Sequence, residues 1–320
     1  MTKSTQSLAD RYLAFAQREA HGISPTYEAY AISAAGNPDL LNRLLDLPEG
    51  KQQPNLLFAA TRHSVGLPDA GFDFALHALG RWDEIKPVIL SRSTQTNEPG
   101  RCACLLPALA QFKAPLAIIE VGAAAGLCLF PDRYGYDFGR VRLDPSEKAA
   151  PVFPCKASDR TPIPAAHPKI VWRAGLDLNP LDVQSDEDMQ WLRTLIWPEH
   201  AERQSRLEAA IGVARRDPPR IVTGDLLEQT EALAAQAPKD ARLVIFHTAV
   251  LNYVAPRIRK QFAELVQDLE AEWLANEGAR ILPDLVSDMG LDDRPGAFVL
   301  SHNGRAIART GPHGQFIDWL

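Results

Sequence analysis

Cysteine is scarce in this chain of 320 residues, which has only four: Cys102, Cys104, Cys128 and Cys155. Their spacing matches no zinc-binding pattern, and disulfide frameworks are typical of much shorter secreted chains. The eight histidines are dispersed, without pairs at metal-ligand spacing. We therefore expect reduced, mostly buried thiols and no metal site.

An excess of positive charge is also lacking. The formal net charge is −6, with 46% hydrophobic and 23% charged residues. This composition is ordinary for a globular protein with a core, and it provides no long-range attraction for nucleic acid or an anionic membrane. We expect a small-molecule partner and neither a nucleic-acid nor a membrane partner.

Long uninterrupted apolar runs are absent as well. The longest run, APLAIIEVGAAAGLCLF, contains Glu120 and is rich in glycine and alanine, which makes it a poor membrane span. The start, MTKSTQSLADRYL, lacks the apolar core of a secretory signal. We expect a cytoplasmic location.

The chain has two regions with different residue patterns. Over residues 1–112 apolar residues recur at helical spacing, with breaks at HGISP, AAGNP, LPEGKQQP and GLPDAG. Over 113–320 strand-like runs alternate with helical patterns, which favours a parallel sheet with helices on both faces. The predicted strands are LAIIEVG, IVWRAGLDL, RIVTGDL, RLVIFHTAV and ARILPDL. Residues 145–168 are proline-rich and predict an irregular insertion.

The end of the chain predicts an antiparallel hairpin. In AFVLSHNGRAIART two strand-like runs flank Asn303-Gly304, a dipeptide that accepts the positive φ angles of a tight turn. Five parallel strands and a terminal hairpin make the seven-stranded, Rossmann-like sheet of class I S-adenosylmethionine methyltransferases. We predict this α/β fold, preceded by an all-helical N-terminal segment.

The stretch IIEVGAAAG predicts a cofactor-binding loop. Glu120 ends the first strand, and Gly122, Ala124 and Gly126 follow at alternate positions. Small residues allow a sharp turn and let backbone N–H groups approach a ligand. Alanine in the middle slot departs from the usual acidic-x-Gly-x-Gly-x-Gly pattern. The alternative is a tight turn whose glycines serve packing only.

Acidic residues after the next strands could hold a nucleoside. A carboxylate at the end of the second strand suits the ribose hydroxyls, and we prefer Asp177 to Asp144 because its strand is longer and more apolar. Asp225 and Leu226 follow the third strand, where a carboxylate and an apolar side chain suit adenine. The alternative for these aspartates is a surface or helix-capping role.

Candidate catalytic and substrate-binding residues follow the fourth strand. His247 could act as a general base, although a lone histidine is more often a hydrogen-bonded core group. Asn252 and Tyr253 should border the acceptor, with Tyr253 a second candidate base. Trp197 could supply an aromatic wall, unless its Trp-Pro-Glu stretch only starts a helix.

The polar segment RSTQTNEPGR precedes the first strand. Arg101 or Arg92 could pair with the cofactor's methionine carboxylate, while Gln95, Asn97 and Glu98 line the acceptor side, Glu98 as a third candidate base. The alternative is that Asn97 caps a helix and the arginines bridge the helical segment to the sheet.

The chain resembles a bacterial family catalogued as domain of unknown function 2332. The resemblance covers nearly the whole chain, in QPNLLFAA, RSTQTNEPGRCACLLPAL, IIEVGAAAGL, DRYGYDFG, VWRAGLDLNPLDV, LIWPEHAERQSRLEAAI, RIVTGDLL, VIFHTAVLNY, WLANEG and HGQFIDWL. The family has no established reaction, so the resemblance implies architecture rather than chemistry. It looks like a divergent methyltransferase fold.

The motifs together favour an S-adenosylmethionine-dependent methyltransferase acting on a small molecule or an exposed protein group. A second hypothesis is a non-catalytic protein that binds a nucleoside or a partner on the same fold. A third is a nicotinamide-dependent oxidoreductase, which would use the same glycine loop but does not need the Asn-Gly hairpin.

Overall fold

A computed structural model describes residues 3–68, 71–281 and 296–320. The chain divides into two compact units, one of Met1–Thr96 with Asp186–Gln204 and one of Asn97–Ser185 with Ser205–Leu320. The division differs from the predicted boundary at residue 112, because residues 97–112 pack with the sheet. No helix of the described residues is long and apolar enough to cross a membrane.

The helices of the described residues follow the proline and glycine breaks of the sequence. They are α1 (Lys3–Phe15), α2 (Pro25–Gly36), α3 (Pro38–Leu45), α4 (Pro54–Val65), α5 (Phe74–Gly80), α6 (Trp82–Ser91), α7 (Cys102–Leu109), α8 (Asp186–Leu195), α9 (Ala201–Arg216), α10 (Leu226–Ala234) and α11 (Pro256–Asp268).

The first unit is helical and contains α1 to α6, α8 and the start of α9. Proline begins α2, α3 and α4, where its missing N–H is not needed. Ser24 and Asn37 cap α2 and α3 by accepting hydrogen bonds from backbone N–H groups. Phe58 centres an aromatic core, with ring centroids 5.0 Å from Tyr27 and 5.1 Å from Phe74.

The strands of the described residues belong to the second unit. They are β1 (Leu116–Val121), β2 (Gly135–Asp137), β3 (Arg142–Leu143), β4 (Val152–Pro154), β5 (Lys156–Ala157), β6 (Ile170–Asp177), β7 (Ile221–Thr223), β8 (Arg242–Thr248), β9 (Glu272–Gly278), β10 (Phe298–His302), β11 (Arg305–Thr310) and β12 (Phe316–Trp319).

A mixed, mostly parallel sheet forms the centre of the second unit, in the order β5-β12-β11-β10-β9-β8-β1-β6-β7. Strands β7, β6, β1, β8 and β9 are parallel. Four of the five predicted parallel strands are confirmed. The fifth prediction was wrong: ARILPDL begins with a 3₁₀ turn at Ala279–Ile281, its last four residues lie outside the described residues, and the preceding EWLANEG forms β9.

The terminal hairpin is confirmed. Strands β10 and β11 pair antiparallel around Asn303 and Gly304, which have φ angles of 48° and 75°. The sheet has nine strands rather than seven, because β12 extends the hairpin and β5 pairs with β12 at the edge.

The predicted insertion at 145–168 is more regular than expected. It contributes β4 to a three-stranded sheet of order β3-β2-β4, and it contributes β5 to the edge of the large sheet. Backbone pairing with β12 explains why this proline-rich stretch still forms a strand, since Lys156 N donates to Gln315 O over 2.8 Å.

Candidate functional site

The candidate site lies at the carboxyl edge of the parallel strands. The chain runs from β1 to β6 and β7 on one side and then crosses to β8 and β9 on the other. The strand order therefore reverses between β1 and β8. In open α/β sheets ligands bind in the crevice outside such a reversal, so the loops after β1, β6, β7 and β8 define the site.

The loop after β1 adopts the conformation that its small residues allow. Gly122, Ala124 and Gly126 have φ angles of 73°, 49° and 71°, which lie in the left-handed region. A Cβ on Gly122 would approach Val250 Cγ2 to 2.3 Å, and one on Gly126 would approach Pro219 Cγ to 2.7 Å. Packing within the protein thus requires both glycines.

Asp177 contacts this loop directly. Its Oδ2 accepts a hydrogen bond from Ala124 N over 2.8 Å, and its Oδ1 accepts one from Asn179 N over 2.8 Å. Its strand, β6, is the parallel neighbour of β1. Asp144 instead follows β3 of the small sheet, with a side chain that is 84% exposed and paired with Arg142. The preference for Asp177 as the acid of the second parallel strand therefore agrees with the sheet order.

Asp225 caps α10. Its Oδ1 accepts a hydrogen bond from Leu227 N over 2.8 Å, and Leu226 points into the core with 9% exposure. The capping role considered for this aspartate is thus present. Its Oδ2 accepts no hydrogen bond among the described residues, which leaves one acceptor oxygen at the carboxyl edge of β7.

His247 belongs to a buried chain of hydrogen bonds. Trp273 Nε1 donates to His247 Nε2 over 3.1 Å, so the ring proton lies on Nδ1, which donates to Glu277 Oε1 over 2.7 Å. Glu277 Oε1 also accepts from the backbone N–H groups of Val250 and Leu251. His247 and Glu277 are both fully buried. Because both ring nitrogens have protein partners, the geometry favours the structural interpretation of His247 over the general base.

The segment RSTQTNEPGR is divided between the two units, which separate after Thr96. In the first unit Arg92 forms ion pairs with Glu187 and Asp188 of α8, at 2.7 Å and 2.5 Å. Gln95 is half-buried there. The ion pairs of Arg92 lie within the first unit, and its role of binding a carboxylate of the ligand stays a prediction.

In the second unit this segment holds the site loops. Asn97 Oδ1 accepts from Leu127 N over 2.9 Å, and Glu98 Oε1 accepts from Gly100 N over 3.1 Å. Arg101 donates through Nε to Pro312 O over 2.8 Å and through Nη1 to Thr248 O over 3.0 Å. All three side chains are less than 9% exposed. Arg101 therefore bridges the end of β8 to the loop between β11 and β12. Its role as a clamp for the cofactor's carboxylate stays a prediction.

Glu120 is the most unusual of the predicted residues. It is 2% exposed, and its Oε2 has no hydrogen-bond partner among the described residues. Burial raises the pKa of Glu120 well above its ordinary value, Cys128 and Asp177 add to the shift, and Arg101 opposes it. Burial therefore favours the protonated, neutral form of the Glu120 carboxyl group.

The remaining predicted residues lie in different surroundings. Trp197 is part of the aromatic core of the first unit, 5.6 Å from Tyr27 between ring centroids, and its Nε1 donates to Asn55. In the second unit Asn252 is exposed and Tyr253 is 72% exposed. Of the three predicted bases, Tyr253 alone has an exposed side chain, since His247 and Glu98 are buried.

Sequence reasoning missed the polar residues of β9. Glu277 orders the loop after β8, and Asn276 accepts from Thr310 Oγ1 over 2.6 Å while its Nδ2 lacks a partner in the described parts of the chain. Their strand was assigned too late in the sequence. The signal that could have found them is the pattern of EWLANEG, in which apolar residues precede a terminal acid as they do in β1.

The sequence family described as "Uncharacterized protein conserved in bacteria" (DUF2332) matches residues 9–319. The chain belongs to this family. No curated protein matches it. Family membership agrees with the resemblance seen in the sequence, and any function has to be argued from the site itself.

Proposed function

We propose that the second unit binds S-adenosylmethionine and transfers its methyl group to a small molecule or an exposed protein group. The observation that carries the proposal is the pair Asp177-Leu178 at the end of the second parallel strand. The Asp177 carboxylate contacts the left-handed loop at Ala124, and Leu178 is 63% exposed. A half-buried carboxylate beside an exposed apolar side chain suits a ribose and the face of a base.

The other residues at this edge fit the same ligand. Asp225 presents an acceptor oxygen after β7, which suits the exocyclic amine of adenine. The buried polar side chains of Asn97 and Arg101 hold the loops after β1 and β8 in place, so these loops are ordered before a ligand binds. S-adenosylmethionine supplies an electrophilic methyl group when bound. The protein then has to orient the acceptor and remove its proton, for which Tyr253 is the exposed candidate.

A second candidate function is binding without catalysis. It is favoured by the internal use of His247, Glu98 and Arg101, whose polar groups contact other parts of the second unit. A protein that only binds the cofactor needs the loop after β1 and the exposed Leu178 side chain but no general base. This candidate predicts cofactor binding that no acceptor converts into methyl transfer.

Calorimetry on the full chain with S-adenosylmethionine, S-adenosylhomocysteine and NAD tests the cofactor. We expect both adenosyl compounds to bind and NAD to bind much more weakly. Leu178→Ala should weaken adenosyl binding by about tenfold, since about 1.4 kcal/mol of apolar contact is lost. Leu76→Ala is the matched control, because Leu76 is a 57% exposed leucine in the helical unit. Both variants should unfold at the wild-type temperature.

Three outcomes contradict the proposal or refine it. If none of the three ligands binds at millimolar concentration, the cofactor assignment is wrong. If NAD alone binds, the protein is a nicotinamide enzyme. If the adenosyl compounds bind and mass spectrometry finds no methylated product from any acceptor pool, the non-catalytic candidate holds. Mass spectrometry of the purified protein would also identify a retained nucleoside.

A further inference from the structure

The loop between β11 and β12, residues 311–315, lies at the same edge of the sheet as the candidate site. Strand β10 pairs antiparallel with both β9 and β11, so β11 runs in the same direction as the parallel strands. The carboxyl ends of β8, β9 and β11 therefore lie at one edge. This loop carries His313, which sequence reasoning did not select as a candidate.

Backbone contacts hold the loop in place. Gly314 has a φ angle of 81°, and a Cβ at this position would clash with Gly100 O. Arg101 Nε donates to Pro312 O over 2.8 Å, while its Nη1 donates to Thr248 O at the end of β8 over 3.0 Å. One guanidinium therefore links this loop to the end of β8, beside the reversal of strand order.

His313 and Glu98 combine a partly exposed base with a buried acid. His313 Nδ1 lies 3.6 Å from Glu98 Oε2, and the His313 side chain is 37% exposed whereas that of Glu98 is 9% exposed. Glu98 Oε1 accepts from Gly100 N over 3.1 Å, and Glu98 O accepts from Cys128 Sγ in the loop after β1 over 3.3 Å. Because Nδ1 is buried, the opposite edge of the ring, which carries Nε2, is the more exposed one.

This arrangement differs from that of the other candidate bases. His247 is fully buried, with its ring nitrogens hydrogen-bonded to Trp273 and Glu277. Tyr253 is exposed, but a phenol is protonated at neutral pH. An imidazole titrates near neutral pH, where a general base is most effective. A carboxylate that accepts the proton on Nδ1 leaves the lone pair of the ring on Nε2.

We propose that His313 is the general base of the candidate site and that Glu98 positions it. The inference rests on the proposed methyl transfer, and it names the acceptor class: a molecule whose hydroxyl or amine group loses a proton on methylation. His313 Nε2 takes that proton while the acceptor oxygen or nitrogen bonds to the methyl carbon and the bond from that carbon to sulfur breaks. The imidazolium keeps its Nδ1–H toward the Glu98 carboxylate and then releases the Nε2 proton to water.

The first test measures the ring tautomer without any cofactor. Nitrogen-15 NMR of the full chain, labelled in histidine, is recorded at about pH 8.5, where imidazole is neutral, and His313→Ala identifies the signals. We expect the proton on Nδ1, because the Glu98 carboxylate accepts it. In Glu98→Gln, Gly100 N retains the amide oxygen as its acceptor, and the amide nitrogen takes the place of Oε2. That nitrogen donates to Nδ1, so the ring proton should move to Nε2.

The second test measures methyl transfer from S-adenosylmethionine to a pool of small hydroxyl and amine compounds, followed by mass spectrometry. For the compound that is methylated fastest, His313→Ala should lower kcat by about a hundredfold or more, as loss of a general base does. The KM for S-adenosylmethionine should stay close to that of wild type. Added imidazole should restore part of the rate in His313→Ala. Glu98→Gln should lower kcat by a smaller factor, since the base itself remains.

His302→Ala is the matched control. His302 is 33% exposed, and its Nε2 lies 2.7 Å from Glu272 Oε2, so it is also a histidine beside a carboxylate. It ends β10, which runs antiparallel to β9, and therefore lies at the opposite edge of the sheet. Its replacement should leave kcat unchanged.

The results that would overturn the base differ from those that would refute the cofactor. A ring proton on Nε2 of His313 in the wild-type protein, or wild-type turnover in His313→Ala, would show that this pair is not the base. Binding of S-adenosylmethionine without any methylated product would also overturn the base and support the non-catalytic candidate. Failure of S-adenosylmethionine to bind would refute the proposed function itself. If Glu98→Gln does not fold, the wild-type tautomer and His313→Ala, which changes a partly exposed side chain, still decide.

Discussion

Replacing Glu120 by glutamine should stabilise the protein relative to wild type, by a margin that grows as the pH rises. The folded protein keeps the Glu120 proton well above the ordinary pKa of 4.5, whereas the unfolded chain releases it near that value. The unfolded state therefore binds fewer protons than the folded state, and the wild-type free energy of unfolding falls with increasing pH. Glutamine has the same shape and no proton to release, so this loss disappears in Glu120→Gln.

The size of the effect follows from a single proton. Each pH unit between 4.5 and the folded pKa of Glu120 should favour the variant by about 1.4 kcal/mol. Urea unfolding curves, followed by fluorescence and circular dichroism at half-unit steps from pH 4.5 to 8, measure the difference between variant and wild type.

Glu272→Gln is the control, because its pKa shift has the opposite sign and its stability difference from wild type should stay nearly constant over the pH range of the assay. Burial raises the pKa of Glu272, but hydrogen bonds from His302, Asn303 and Arg242 outweigh it and lower the pKa overall. Its contribution to stability is therefore present above pH 4.5 and lost as the pH falls below that value. A stability difference for Glu120→Gln that does not change between pH 4.5 and 8 would refute the raised pKa of Glu120.

Three further predictions concern the loops of the site. Gly122→Ala should lower the free energy of unfolding in urea by about 2–4 kcal/mol, because it combines a left-handed backbone with a clash against Val250. Gly139→Ala is the control, since its backbone is also left-handed but the space around it is open. That variant should lose only about 1–2 kcal/mol. Asp225→Ala should lower stability by about 1 kcal/mol through loss of the α10 cap, measured as a lower thermal midpoint, and an unchanged midpoint would contradict that role. Arg101→Ala should lower the free energy of unfolding by about 3 kcal/mol, because Thr248 O and Pro312 O lose a charged donor. Weakened ligand binding at wild-type stability would instead support the predicted role of Arg101 in binding the cofactor's carboxylate.

Local sequence predicted the features that depend on neighbouring residues. The sharp turn after β1, the Asn303-Gly304 turn and four of the five parallel strands all follow from patterns within about ten residues, and the cap of α10 is the alternative considered for Asp225. The wrong strand was chosen because ARILPDL has the local pattern of a strand. In the structure EWLANEG pairs with β8 instead, and the local pattern does not determine that pairing.

Side-chain partners were decided by the tertiary structure. The sequence alone determined that Arg101, His247 and the cysteines are polar or reactive groups near predicted strands. It did not determine that Arg101 reaches Thr248, which is 147 residues away, or that His247 pairs with Glu277. The physical reason is that the order of strands in the sheet chooses these neighbours, and a buried polar group takes whichever partner that order supplies.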